Sequence, residues 1–240
     1  MQKNIAVIFA GGSGVRMNTK SRPKQFLELH GKPIIIYTLE LFENHPEIDG
    51  IIVSCIEAWI PYLEKLLRKF ELSKVLSVIP GGETGQDSIY NGISEAARLY
   101  PQDSLVLIHD GVRPLITPET ISDNIRIASE KGSCITCIKA TETLVVTQQD
   151  GTLQIPSRAN SLIARAPQTF VLKNILAAHH QALQEGKHDF IDSCTLMANY
   201  GYVMNTVIGP SENIKITTPT DFFVFRAIED VRENSQIFGF

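Results

Sequence analysis

The chain has 240 residues, of which 43% are hydrophobic and 20% charged, with a formal net charge of −4. That balance suits a globular fold and excludes both a disordered chain and a sequence-independent nucleic-acid binder, which needs a basic face. No apolar run approaches the roughly 18–20 residues of a membrane span, and the run Ile5–Ala10 meets Gly11-Gly12 too soon for a signal-peptide core. The expectation is a cytoplasmic protein with neither nucleic acid nor membrane as a partner.

Ile5–Phe9 is a short apolar run closed by glycines and reads as a buried parallel strand. Ile51–Cys55 reads as a second strand. Trp59–Phe70 places Trp59, Leu63, Leu66, Leu67 and Phe70 at helical spacing between charges. Val75–Ile79 is a third strand, ended by Pro80-Gly81-Gly82. Asp87 or Ser88 can cap the helix that follows, through about Tyr100. Leu105–Ile108 is a fourth strand, Pro118–Lys131 a helix and Cys134–Lys139 a fifth strand. Further on, a helix is expected over Lys173–Gln184, strands over Tyr202–Ile208 and Ile214–Thr217, and a C-terminal helix from Pro219 to about Arg232. Strands alternating with helices predict an α/β fold with a doubly wound, mostly parallel sheet, whose ligands bind beyond the carboxyl ends of the strands.

The segment Thr141–Asn160 breaks the alternation. It has β character on both sides of Asp150-Gly151, a hairpin turn signal. An isolated hairpin is marginal in water, so this apolar arm must pack on something, and a partner subunit is a natural candidate. A two-residue turn would set Thr143 opposite Arg158, with Pro156 interrupting the ladder. The expected organisation is one domain over 1–240 with 141–160 as a dimerisation arm.

Four constellations carry chemistry. Ala10-Gly11-Gly12-Ser13-Gly14-Val15-Arg16-Met17 is followed by Arg22-Pro23-Lys24-Gln25, and from Ala10 to Leu27 there are four cations and no carboxylate. Glycines that let backbone approach a ligand, beside Arg16 and Lys24, favour a polyanion such as a triphosphate. Met17 stands where a dinucleotide fingerprint needs glycine, and no Gly-Lys-Ser/Thr of a Walker A loop occurs. His109-Asp110-Gly111-Val112-Arg113-Pro114 ends the fourth strand, where the Asp110 carboxylate can reach a metal ion or a substrate hydroxyl. His109 reads as a loop-stabilising residue rather than a catalyst. Gly81–Ser88 can offer backbone groups to a base, or can be a plain glycine turn with a cap. In Asn213–Pro219, Lys215 taken alone reads as a solvated strand residue. Of the four cysteines, Cys134 and Cys137 form a C-x-x-C, but no second ligand pair sits at zinc spacing. All four read as reduced and mostly buried.

Together the motifs A-G-G-S-G-V-R-M, P-K-Q-F-L, H-D-G-V-R-P, A-P-Q-T-F and N-I-K-I-T-T-P resemble those of the polyol-phosphate cytidylyltransferases, from about Ile5 to the C-terminal helix. The resemblance implies a Rossmann-like nucleotidyltransferase fold and transfer of a cytidylyl group from CTP to a polyol phosphate with release of pyrophosphate. It implies Arg16, Lys24 and Lys215 as catalytic cations, and Mg²⁺ bound mainly through the nucleotide phosphates, with Asp110 a possible ligand. It implies nucleotide contacts from Ala10, Gly11, Gly12, Gly14, Gly82, Ser88 and Asp110. Acceptor contacts are implied for Asp110, Arg113 and Thr217, and for Thr143 and Arg158 on the arm of a homodimer partner. Ala10-Gly11-Gly12 and Pro167–Phe170 look closer to the ribitol-phosphate branch. That branch would make CDP-ribitol for teichoic acid or capsule biosynthesis beside a polyol-phosphate-forming reductase. The erythritol-phosphate branch, acting on 2-C-methyl-D-erythritol 4-phosphate in isoprenoid biosynthesis, is the alternative. A nucleotide-binding regulatory module and a Rossmann oxidoreductase are readings of other classes. Gly85 stands where relatives usually carry Arg, Ala166 where Thr is common, and Gly111 where Ala or Ser is usual.

Overall fold

The computed structural model describes residues 2–11 and 22–238. Two short strands, β2 (Glu28–Leu29) and β3 (Lys32–Pro33), pair with each other, and the core is a sheet of seven strands: β1 (Asn4–Ala10), β4 (Gly50–Cys55), β5 (Val75–Pro80), β6 (Leu105–Asp110), β7 (Ser133–Lys139), β10 (Leu162–Val171) and β11 (Thr206–Ile208), in the order β11-β7-β10-β6-β1-β4-β5. β1 pairs parallel with both β4 and β6, β4 with β5, and β7 with β11. β10 alone runs antiparallel, between β6 and β7. The parallel, doubly wound reading holds, with one inserted antiparallel strand.

The apolar runs of β1, β4 and β6 are explained by burial on both faces. Ala6, Ile8, Ile51 and Val53 point into one core layer, with α1 (Ile34–Glu43), α2 (Ile60–Lys69) and α4 (Pro118–Lys131). Ile5, Val7, Ile52 and Val106 point into the other, under α3 (Gly85–Leu99), α5 (Leu172–Gln184) and α6 (Ser193–Asn199). Cys134 lies in the first layer and Cys137 in the second. Three residues apart on a strand, they face opposite sides of the sheet and cannot share one ion. The C-terminal helix α7 (Pro219–Phe238) seats Phe225 in a third cluster with Leu29, Ile34, Val112, Leu115 and Ile216.

Several expectations are corrected. The helix after Gly81-Gly82 is capped by Thr84 rather than Asp87 or Ser88: Thr84 Oγ1 accepts from Asp87 N and the Asp87 carboxylate accepts from Thr84 N, a capping box. No strand forms over Ile214–Thr217. That segment is extended because Ile216 is fully buried and donates its amide to Val112 O at 2.9 Å, in a loop rather than a ladder. Of Tyr202–Ile208 only β11 pairs.

The arm is a two-stranded hairpin of β8 (Val146–Thr147) and β9 (Leu153–Gln154), in a sheet of its own. Its register is one residue off the expected one: Val146 faces Gln154 and Thr147 faces Leu153. The loop has three residues, closed by Gly151 N to Gln148 O and Gln148 N to Thr152 O, with Gly151 at φ +83°. Thr143 is therefore not opposite Arg158, which lies in the single turn Arg158–Asn160 and donates to Thr141 O at 3.3 Å.

Candidate active site

β1 lies where the chain order reverses: β4 and β5 build the sheet outward on one side, and the chain then crosses through α3 to β6 on the other. Sheets of this kind leave a crevice beyond the strand ends at such a point. A cavity of about 350 Å³ opens there, lined among others by Ala10, Gly11, Lys24, Gly82, Ser88, Asp110 and Lys215. The sequence had nominated all seven. Gly12, Gly14 and Arg16 lie outside the described residues.

Each wall has a local cause. Lys24 opens a 3-10 turn, Lys24–Phe26, whose Phe26 is fully buried and stacks on Trp59 at 4.9 Å with Tyr62 at its edge. That aromatic trio pins the turn to α2 and so positions the lysine, each pair worth about 0.5–1.5 kcal/mol beyond its buried area. Gln25, also buried, donates to Ala10 O at 2.6 Å and fixes the end of β1 against the same turn.

The glycines are packed as well as permissive. A Cβ on Gly11 would meet Ser88 Oγ at 2.7 Å, and one on Gly82 would meet Asp87 Cβ at 2.2 Å. Ser88 is buried, accepts from Gly82 N at 3.0 Å and donates to Thr84 O at 2.9 Å. Its hydroxyl thus holds the loop that offers backbone groups to the cleft. Gly85 lines the cleft too, and a Cβ there meets nothing within 4 Å.

Asp110 is the electrostatic centre. It is 5% exposed, takes Arg113 Nε on Oδ2 at 2.6 Å and ion-pairs through Oδ1 with Lys215 Nζ at 2.5 Å. Burial by itself would push the carboxyl up, but the charges of Arg113 and Lys215 outweigh it and hold the group well below the usual carboxylate range. His109 faces away from the cleft. It packs on Phe42 at 5.1 Å and donates from Nε2 to Arg113 O at 3.1 Å, and burial pushes its imidazole down to about 4. A neutral ring holding a loop agrees with the expectation for His109.

Lys215 arrives on the loop that Ile216 seats by burial, a contribution of about 1.5–3 kcal/mol. The side chain of Asn213 donates to Ala166 O at 2.7 Å, while its own carbonyl accepts from Arg113 at 3.0 Å. Lys215 Nζ lies 5.7 Å from the centre of the Phe9 ring. Thr217 is placed differently from its expected acceptor role. It is not among the cavity-lining residues, and its amide and hydroxyl both donate to Asp221 Oδ2, at 2.8 and 2.9 Å, at the start of α7. Thr143 and Arg158 are not among the residues that line this cavity, and both are exposed.

A second cavity of about 290 Å³ adjoins the first and shares Phe9, Gly85, Asp110 and Lys215 with it. Arg113, Arg165, Gln168 and Asp192 line this one. Sequence reading missed Gln25, Arg165 and Asp192. Gln25 stood inside a quoted motif and Asp192 at a helix cap, while Arg165 gave no local signal.

The site can bind a polyanion at one cavity and a second ligand at the other, with Asp110 and Lys215 between them. Among the described residues no three His, Cys, Asp or Glu side chains gather as a metal cage, and both Asp110 oxygens already carry cations.

A family model described as IspD: 2-C-methyl-D-erythritol 4-phosphate cytidylyltransferase matches residues 4–230. The chain is 53% identical over 237 residues to the ribitol-5-phosphate cytidylyltransferase of Vibrio parahaemolyticus, covering 98% of this chain and 100% of that one. It is 50% identical over 237 residues to the enzyme of the same name from Streptococcus agalactiae, covering 98% and 99%. Among solved structures it resembles 4-diphosphocytidyl-2C-methyl-D-erythritol synthase from Anaerococcus prevotii, with a TM-score of 0.82 and 27% identity over 95% of this chain and 96% of that one.

Proposed function

This chain belongs to the family of the IspD and ribitol-5-phosphate cytidylyltransferases, and on that premise we propose that it transfers a cytidylyl group from CTP to D-ribitol 5-phosphate. The observation that carries the reading is Asp110–Lys215 standing in the lining shared by two cavities, with Lys24 also lining the first. The greater likeness to ribitol-5-phosphate enzymes, at 53% and 50% identity, favours that acceptor.

In the reaction an acceptor phosphate oxygen attacks the α-phosphorus of CTP in line. A P–O bond forms there, the bridge to the β-phosphate breaks, and its electron pair leaves on pyrophosphate. The nucleophile is already an anion at neutral pH, so no general base is needed. What must be overcome is repulsion between two polyanions, and preorganised cations do that. We assign Lys24 to the triphosphate, together with Arg16, and Lys215 to the reacting phosphates. Backbone at Ala10, Gly11 and Gly82 faces the nucleotide, and Arg113 holds Asp110 for the acceptor. Mg²⁺ would enter on the nucleotide phosphates and supply further neutralising charge, and Asp110, in the lining of that cavity, is the carboxylate that would hold it. The exposed apolar arm, with Thr143 and Arg158, is assigned to a homodimer partner whose site it completes. A reductase that makes the polyol phosphate is the expected companion enzyme.

Pyrophosphate release measured with CTP, UTP and ATP against ribitol 5-phosphate and 2-C-methyl-D-erythritol 4-phosphate tests this. The expected highest kcat/KM is CTP with ribitol 5-phosphate. The opposite acceptor order would place the chain in the erythritol-phosphate branch, and nucleotide binding without turnover would make it a regulatory module.

A further inference from the structure

Charged groups run in a line along one wall of the paired cavities. Lys215 meets Asp110, Asp110 meets Arg113, Arg113 Nη1 donates to Asn213 O, and Arg165 Nη1 donates to the same oxygen at 3.0 Å. Lys215 and Asp110 line both cavities, whereas Arg113 and Arg165 line only the second. Arg165 thus marks the end of the line away from the nucleotide cleft.

Its surroundings leave it uncompensated. It is half-buried and forms no ion pair among the described residues, and the charge bearing on it is the like charge of Arg113. Its one carbonyl acceptor is already shared. Across the cavity the Asp192 carboxylate is spent on Gln168, Cys194 and Thr195. Arg165 also sits where the pairing of β10 with β7 shifts register, between Ala164 and Gln168. Such bulges re-aim side chains beside active sites. A guanidinium carries five donors and no acceptor, so the Arg165 donors not spent on Asn213 O can take oxygen acceptors of a ligand in the second cavity.

We infer that Arg165 reads the hydroxyls of the acceptor polyol remote from its reacting phosphate, and so selects for chain length. This rests on the polyol-phosphate reading above. The reacting phosphate must lie at the Lys215 end, where the nucleotide cleft opens. The carbon chain then extends into the second cavity, and only an acceptor long enough passes Arg113 and reaches Arg165. Removing the guanidinium therefore costs a long acceptor more than a short one.

The test is kcat/KM with CTP and three acceptors, glycerol 3-phosphate, erythritol 4-phosphate and ribitol 5-phosphate, for the wild type and for Arg165→Leu, Arg165→Gln and Arg165→Lys. The Leu and Gln variants should lose about ten-fold or more on ribitol 5-phosphate, the size of one hydrogen bond from a charged donor. They should change about two-fold or less on glycerol 3-phosphate and keep the KM for CTP. Arg165→Lys should recover part of the loss. An equal loss on all acceptors would mean that Arg165 acts only by holding Asn213 and the Lys215 loop, and would overturn the inference, as would no loss on any. A folded wild type that uses none of the three acceptors would sink the parent reading instead. Melting temperature and CTP KM on the same preparations separate misfolding from either result.

Discussion

Removing a cation from the Asp110 network has different consequences on its two sides. Arg113 is 8% exposed and shares the buried carboxylate. Arg113→Ala removes one of the two cations of that carboxylate together with the donor to Asn213 O, leaving Lys215 as its partner; breaking such a buried pair costs about 3–5 kcal/mol, and a domain of this size should melt roughly 10 °C lower. Lys215 is more exposed and faces the cleft, so Lys215→Ala should leave the melting temperature nearly unchanged while lowering kcat by about 10²-fold, as for one lost preorganised donor. Lys24→Ala should behave like Lys215→Ala. A Lys215 variant with normal kcat would return that residue to a plain surface lysine. The buried rings give a pH signature. Burial pushes both His109 and His179 down to about 4. Their unfolded forms protonate near 6.5, so the stabilisation is complete above that pH and is lost as pH falls from about 6.5 to 4, about 3 kcal/mol per ring. His179, facing His180, Asp87 and Tyr90, has neither ring nitrogen hydrogen-bonded among the described residues. His179→Leu should therefore be neutral or stabilising at pH 7 and flatten the acid-side loss in thermal melts.

At the scale of elements, the turn into α3 separates two glycines that look alike in sequence. Gly82 has no room for a side chain because the Asp87 Cβ of the capping box stands 2.2 Å from where its own would be. Gly82→Ala should raise the KM for CTP and lower stability. Gly85, at the first helical position, has open space. Gly85→Ala should stabilise by about 0.4–1 kcal/mol through the unfolded chain with CTP kinetics intact, and equal effects from the two substitutions would refute the distinction. The elements missed in the sequence have identifiable causes. Helix α1 begins Ile34-Ile35-Ile36 and buries Thr38, Leu39 and Phe42 as well, so β-branched residues hide its type and all-round burial blurs its period. Strand β10 contains Pro167, which a central strand tolerates only at a bulge, and the register shift lies there. β1, β4 and β6 were legible because burial on both faces demands unbroken apolar runs.

For the whole molecule, the unanswered surface is the arm. Val145, Val146, Leu153 and Ile155 are exposed in the arm, whose β8–β9 hairpin pairs with no other strand among the described residues, and Leu162 and Ile163 are exposed beside it at the start of β10. Such a patch marks an interaction surface. If Arg158 of one subunit completes the site of the other, Lys24→Ala and Arg158→Ala chains unfolded together, mixed equally and refolded should regain about a quarter of wild-type activity. Half the dimers are then mixed, with one good site in two. Mixed dimers confirmed by native mass spectrometry but inactive would show that Arg158 serves its own chain. The sequence by itself pointed to the strand-and-helix alternation, the cleft glycines, Lys24 and Asp110, because hydrophobic periodicity and turn chemistry are local, while Lys215 entered only through the family resemblance. Tertiary structure alone decided the hairpin register, the burial of Asp110 between two cations and the convergence of Arg113 with Arg165 on Asn213. These join residues as far apart as Asp110 and Lys215, or Arg165 and Asn213, and no local pattern encodes a contact made only when the sheet closes.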